Sequence, residues 1–412
     1  MGFGLSEVLI LLSVVGGFAS GGDVKLTAPR DTADKAVRYV LPDANVVVHF
    51  NVQAGIGSVF GLLEEMSGLR MATASPEIAE ALASTQRTMS DGLGFIGKEV
   101  SLDFKKDVGT LTVSLSLSSK ERMALLVRLR GNFKESKLLE KLTEDATGTY
   151  EFKGKTIHRW KDDSPFPDMV LSFADDTTLL LGPKAVIEEV FTKGQLKASK
   201  GSRTARLAAL VDRRTVTFAM LSLPVWLLEE MTGDEDLQLL AALLGEVDYV
   251  FYGAGPGKGL VEVGVGAGAA NRQISYLFKA AAGFLDTVRA LVDAGAYSIL
   301  GVMPLIPATE IEPAWQKALS DEEGVLELAA WFKKRFTGKS KVLADARKKT
   351  VRLEFDNPAA LFGALAPVLA GAGYWMTMAP FQKAEPMYDE ELDYAPERQP
   401  AIDYLPLPQG TQ

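Results

Sequence analysis

Apolar residues fall on every second position through much of Lys98 to Arg130: Val100, Leu102 and Phe104, then Leu111, Val113, Leu115 and Leu117, then the run from Met123 to Leu129. A period of two is the period of a pleated strand, so this stretch is expected to fold as a meander of antiparallel strands with one apolar face. The other face is expected to be wet, with Arg128 and Arg130 exposed on it. Helical periodicity brackets the meander. Gly55–Gly68 and Pro76–Leu93 lie before it and Phe133–Asp145 after it. Asn45–Val52 is a β-branched run that reads as a well-buried strand behind the Leu41-Pro42-Asp43-Ala44 turn. Short strands at Thr149–Phe152, Lys155–Trp160, Asp168–Phe173 and Thr178–Leu181 then lead to a helix opened by Pro183.

The second half repeats this order loosely. Arg214–Leu221 answers the Asn45–Val52 strand and is followed by helices at Pro224–Met231 and Asp236–Leu244. Val247–Gly253 and Lys258–Gly266 answer the meander, and the helical stretch Ala270–Ala294 answers Phe133–Asp145. An inserted segment, Tyr297–Phe336, precedes a last strand, Lys348–Phe355, and a helix, Pro358–Gly371. The fold class read from this is α+β: two loosely repeated units, 36–195 and 203–381, each a mainly antiparallel sheet packed with helices. Gly194, Lys200, Gly201 and Ser202 form the linker between them.

The turn and strand of Leu41–Phe50, the Gly-Lys-x-Ile strand within Tyr150–His158 and the Ala-Asp-Asp hairpin within Phe173–Gly182, behind an export-like start, resemble uncharacterised bacterial exported proteins that carry such a strand-and-helix module twice. The resemblance implies a fold and an address and carries no activity with it.

Both ends differ from the middle. Val8–Val15 is apolar apart from Ser13, and the small residues Gly17 and Ala19 suit cleavage after Ala19, so residues 1–22 read as an export signal or a short membrane anchor. The n-region MGFGLSE has no Lys or Arg, and the apolar run is short for a helix that crosses a bilayer. A periplasmic or cell-envelope location follows, with membrane anchoring as the alternative. Residues 384–412 hold seven acids against Arg398 alone, and five prolines, a composition that cannot bury enough apolar area to fold in isolation. Tyr388, Tyr394 and Tyr404 are spaced along this acidic tail as a candidate binding motif.

Composition removes most chemistries. There is no Cys and there are only two His, so thiolate nucleophiles, zinc ribbons and iron–sulfur clusters are excluded and a histidine triad has little to draw on. A formal charge of −9 gives no reason to expect nucleic-acid binding. Gly264-Val265-Gly266-Ala267-Gly268-Ala269 matches a dinucleotide fingerprint, but no strand ending in an acidic residue follows, so it reads as a tight turn into a packed helix. Gly253–Gly259 lacks the Ser or Thr of a phosphate loop and reads as a hairpin. Asp162, Asp163 and Asp168 make a carboxylate-rich loop that reads as a rigid turn rather than a cation site. His49 and His158 read as packed histidines, and in the enzyme alternative His158 with Asp162 and Asp163 is the catalytic cluster.

The expected function is therefore that of an exported, non-catalytic binding or structural protein without a cofactor or metal. Its partner is an unidentified protein or a hydrophobic ligand, with a membrane surface as a further contact. In the carrier alternative Phe60, Leu63, Leu111, Val113, Leu115, Leu125 and Val127 line the ligand. Lys333, Lys334, Arg335, Lys348 and Lys349 form a candidate basic contact patch for anionic headgroups or for the acidic tail. An enzyme of unknown class is the remaining alternative.

Overall fold

A computed structural model of the chain describes residues 32–358 apart from 120–122, 135–136, 145, 160–165, 167, 197–201, 212–214, 234–236, 256, 266–274, 277, 281, 284–285, 288–316, 318–319 and 337. Segment 1–22, the tail 384–412 with its three tyrosines, the loop residues Asp162 and Asp163, and nearly all of the Pro358–Gly371 helix lie outside the described residues.

Helix α1 (Ala33–Ala36) and a 3-10 turn (Val37–Tyr39) precede strand β1 (Val46–Asn51) and helices α2 (Val52–Ser67), α3 (Arg70–Ala74) and α4 (Pro76–Val100). Asn51 starts α2 by accepting a hydrogen bond from the Ala54 N–H at 2.8 Å. Ser75 and Pro76 start α4 as a cap and a first-turn proline, and Ser101 in the left-handed region (φ 53°) ends it. The meander β2 (Val108–Leu117) and β3 (Met123–Gly131) follows, then α5 (Leu138–Leu142), β4 (Gly148–Phe152), β5 (Lys155–Arg159), β6 (Met169–Asp175), β7 (Thr178–Pro183), α6 (Lys184–Lys193) and α7 (Arg203–Leu210). The second half supplies β8 (Thr217–Leu221), α8 (Val225–Thr232), α9 (Gln238–Gly245), β9 (Val247–Gly255), β10 (Lys258–Val265), α10 (Glu322–Phe336), β11 (Ser340–Asp345) and β12 (Thr350–Phe355).

These strands form one antiparallel sheet of twelve, in the order β11-β12-β10-β9-β8-β1-β2-β3-β7-β6-β5-β4. The fold is thus α+β, but strands from 36–195 and 203–381 share a sheet instead of building one each. The seam is β1 against β8, with Val46 opposite Leu221 and His49 opposite Phe218. Left unpaired, either apolar strand would be an exposed edge, so pairing them removes two edges at once. Asn45 braces the seam. Its amide donates to the Ser222 carbonyl at 3.2 Å, and its Oδ1 accepts from the Leu117 N–H at 2.9 Å.

Three local expectations change. Val100, Leu102 and Phe104 are the end of α4 and the turn after it, not a strand; Val100 and Leu102 are buried against Phe133 and Leu138, and their period of two comes from a helix cap. The Phe133–Asp145 helix contracts to α5. Strand β11 is absent from the expected elements because Lys339, Lys341 and their neighbours read as a solvated basic stretch.

Candidate functional site

Pairing register assigns every side chain of β1, β2 and β3 to one of two faces. Val46, Val48 and Phe50 stand opposite Leu115, Val113 and Leu111, which in turn stand opposite Leu125, Val127 and Leu129. Five of the seven predicted ligand-lining residues, Leu111, Val113, Leu115, Leu125 and Val127, therefore share a single apolar face, which continues through Leu179 and Leu181 of β7. The other face carries Val47, His49 and Asn51, then Thr110, Thr112 and Ser114, then Leu126, Arg128 and Arg130.

Burial runs against the simple expectation. Thr110, Thr112 and Ser114 are 2%, 3% and 0% exposed, and Arg128 is 4% exposed, whereas Leu111, Val113, Leu115, Leu125 and Val127 are all only half-buried. The face expected to be wet is the dry one. The 3-10 turn, α6 and α7 dock there, placing Val37, Ile187, Val190 and Leu207 over Val47, Leu126, Leu180, Phe218 and Phe251 to make the main core. Arg128 is correspondingly inside, its guanidinium carbon 3.8 Å from the Tyr39 ring centroid. Burial, then the charge of Arg130, lowers its pKa to about 9, so it stays protonated at neutral pH.

Helix α2 packs against β1 and β2. Its buried residues are Gln53, Ala54, Gly55 and Ser58, while Ile56, Val59, Phe60, Leu62, Leu63 and Met66 are half-buried. Phe60 and Leu63, three residues apart, lie on neighbouring positions of the helix surface. The Phe60 ring sits 3.7 Å below the Lys105 ammonium, and the Gln53 amide donates to the Lys105 carbonyl at 2.8 Å, tying the first half of α2 to the turn after α4. One end of the apolar face is closed by Val100, Leu102, Phe133 and Leu138, packed on Leu171 and Leu179. At the other end the Trp226 indole donates to the Leu117 carbonyl at 3.1 Å, which brings α8 to the end of β2. α8 buries none of its residues, and Val225 and Leu221 are exposed.

The remaining candidates fall elsewhere. His49 is fully buried, its Nδ1 2.8 Å from the Thr112 hydroxyl and its ring stacked on Phe218 with centroids 5.0 Å apart. Burial lowers its pKa to about 3, so it is neutral and reaches no substrate. His158 is half-buried on β5, where burial also lowers its pKa. Among the described residues there is no group of three His, Cys, Asp or Glu that could hold a metal ion, and no helix is long and apolar enough to cross a membrane.

The basic patch is divided. Asn357, just past β12, donates to the Arg335 carbonyl at 2.9 Å, so Lys333, Lys334 and Arg335 lie at one end of the β11–β12 hairpin. Lys348 and Lys349 are in its turn, a six-residue strand away, or about 20 Å. Arg335 is committed to Glu65 at 3.3 Å and Lys348 to Asp345 at 3.9 Å.

A groove of about 510 Å³ opens beside the β9–β10 hairpin, floored by Phe251, Leu260 and Phe355 and rimmed by Lys258, Lys339, Lys341, Glu354 and Asp356. Lys341 stands opposite Glu354 in register, and Asp356 accepts the Lys339 N–H at 2.7 Å. Alternating charge of this kind protects a sheet edge and favours neither sign of ligand. The glycines of both rejected nucleotide motifs have packing roles. A Cβ on Gly259 would lie 1.9 Å from the Phe355 ring, and one on Gly264 2.0 Å from the Tyr249 ring. Gly266, Gly268 and Ala269 lie outside the described residues.

No family model matches the chain, and no curated protein matches it. A solved structure described as "Structure of crystal form IV of TP0453" is similar at 10% sequence identity and a TM-score of 0.29, over 57% of this chain and 82% of that one. So low a TM-score carries no argument about fold or function.

Proposed function

We propose that the protein is a non-catalytic binding protein of the cell envelope that holds an apolar, acyl-chain-like ligand between α2 and the Leu/Val face of its sheet. The observation that carries this reading is the inverted burial of β2, where threonines and serine are dry and leucines and valine are only half-buried. Apolar side chains left partly accessible along neighbouring strands offer contact area to an apolar ligand. Helix α2, packed on β1 and β2, suits a yielding wall. Gly55, Gly57 and Gly61 each cost α2 about 0.5–1 kcal/mol of helix stability relative to Ala. The envelope address rests on the apolar run Val8–Val15.

The module duplication belongs to the same proposal. Read outward from the β1–β8 seam, each side runs through two further strands in chain order, β2-β3 and β9-β10, and then reaches a hairpin entered by its later strand, β7-β6 and β12-β11. Each innermost strand is followed by helices, α2 on one side and α8 on the other. Two copies of one module joined at their first strands would produce this order.

The test is native mass spectrometry of protein from its own host, followed by displacement of a fluorescent fatty-acid analogue. A co-purifying lipid and a loss of affinity of roughly tenfold or more in Val113→Lys or Leu115→Lys, with unchanged far-UV circular dichroism, is the expected result. Wild-type protein that takes up no apolar probe and carries no lipid refutes the reading; if it instead retains a protein on the same face, the interaction-module alternative takes its place.

A further inference from the structure

The corner between α2 and α3 is gripped from outside by α10, more than 250 residues later in the chain. The grip has two ends. Glu65, in the last turn of α2, accepts the Trp331 indole N–H at 3.0 Å and pairs with Arg335 at 3.3 Å. Arg70, the first residue of α3, pairs through its guanidinium with Asp321 at 3.0 Å and with Glu323, while its backbone N–H donates to Glu327. The hydrogen bond and charge of Asp321, then the charges of Glu323 and Glu327, raise the Arg70 pKa. Between the two ends Leu328 packs on the small cluster of Met71, Ala72 and Ile78, and Val325 is fully buried.

The polar contacts at both ends are partly exposed: Arg70 is 52% accessible, Glu323 72% and Glu65 44%. Exposed pairs of this kind are individually weak and screened by salt. They hold a helix whose own long apolar side chains are half-buried and whose sequence contains three glycines.

We propose that α10 is a salt-sensitive strap that clamps the α2–α3 corner, and that its release lets α2 move and admits the ligand beside it. This rests on the binding reading above for the identity of what enters, but the movement of α2 is measurable without any ligand.

The experiment uses the full chain and two readouts. Amide hydrogen exchange across residues 52–67 is followed from about 0.01 M to about 1 M salt, which shortens the screening length from roughly 30 Å to roughly 3 Å. Protection in the wild type is expected to fall with salt, and in Arg70→Ala to be low at every salt concentration. Stopped-flow entry of the fluorescent fatty-acid analogue at low salt is expected to be roughly tenfold faster in Arg70→Ala, the factor that two exposed ion pairs in the upper half of their usual range supply. The chain has no cysteine, so a pair introduced by Met71→Cys and Gly324→Cys can staple α10 to α3; a Cβ at 324 would lie 3.6 Å from the Met71 backbone nitrogen. The staple should slow probe entry, and reducing agent should restore it. Exchange in α2 that is the same in Arg70→Ala as in wild type and indifferent to salt overturns the strap, as does a staple that leaves entry unchanged. If exchange responds as expected but neither protein takes up the probe, the strap stands and the apolar-ligand reading falls.

Discussion

His49 should make the protein less stable at pH 5 than at pH 7. It sits at the centre of the sheet, 1% exposed, against Thr112 on β2 and Phe218 on β8. Arg128, the next polar residue in register beyond Thr112, is a cation, and β1, β2, β3 and β8 carry no carboxylate that would favour a protonated ring. Burial lowers the pKa from 6.5 to about 3. The folded state therefore binds fewer protons than the unfolded chain between those two values, and the stability that His49 confers is complete above pH 6.5 and lost as the pH falls toward 3. At pH 5 the loss reaches about 2 kcal/mol, and below pH 3 it approaches about 5 kcal/mol, because each pH unit crossed between the two pKa values costs about 1.36 kcal/mol. Urea denaturation at pH 7 and pH 5 measures it. His49→Gln removes the titrating group and should flatten the difference by about 2 kcal/mol, while His158→Gln should change it less because that ring is only half-buried. With two His in the chain, the His158 variant also assigns the imidazole resonances, so the His49 pKa can be read directly by NMR. A His49 resonance that titrates near 6.5 in the folded protein, or a His49→Gln protein that keeps the wild-type loss between pH 7 and 5, would refute this account.

Two glycines should respond in opposite directions. At Gly61 on α2 nothing lies within 4 Å of an added Cβ, so Gly61→Ala should stabilise the protein by about 0.5–1 kcal/mol in urea unfolding; a lower midpoint would mean that the helix needs glycine there. At Gly264 the Tyr249 ring fills the space of a Cβ and is held by its hydroxyl, which donates to buried Glu262 at 2.6 Å. Gly264→Ala should therefore cost about 3 kcal/mol by calorimetry, and an unchanged melting temperature would show that the ring swings aside freely.

Much of the element order was legible because it depends on local chemistry. Pro183 and Gly194 bracket α6, Ser75 and Pro76 open α4, and Asp176-Thr177 turns β6 into β7, each for reasons confined to a few residues. Edge strand β11 was not legible, because an edge needs charge on its surface and its lysines conceal its alternation. The apolar candidates on β2 and β3 came together because strand register follows from alternation. The basic candidates did not, because a hairpin intervenes between them.

A period-two pattern determines which side chains share a face. It is silent on which face turns inward, since exchanging the faces leaves the pattern unchanged. That choice was made by the docking of α6, α7 and the 3-10 turn onto the Thr/Ser/Arg side, where Arg128 finds the Tyr39 ring and His49 finds Thr112. Likewise Val46-Val47-Val48 is apolar on both faces, which says that β1 is central but not which strand lies beside it. The partner, β8, comes from the other half of the chain. Only long-range packing could select it, because the two strands are more than 160 residues apart and nothing local to either one encodes the other.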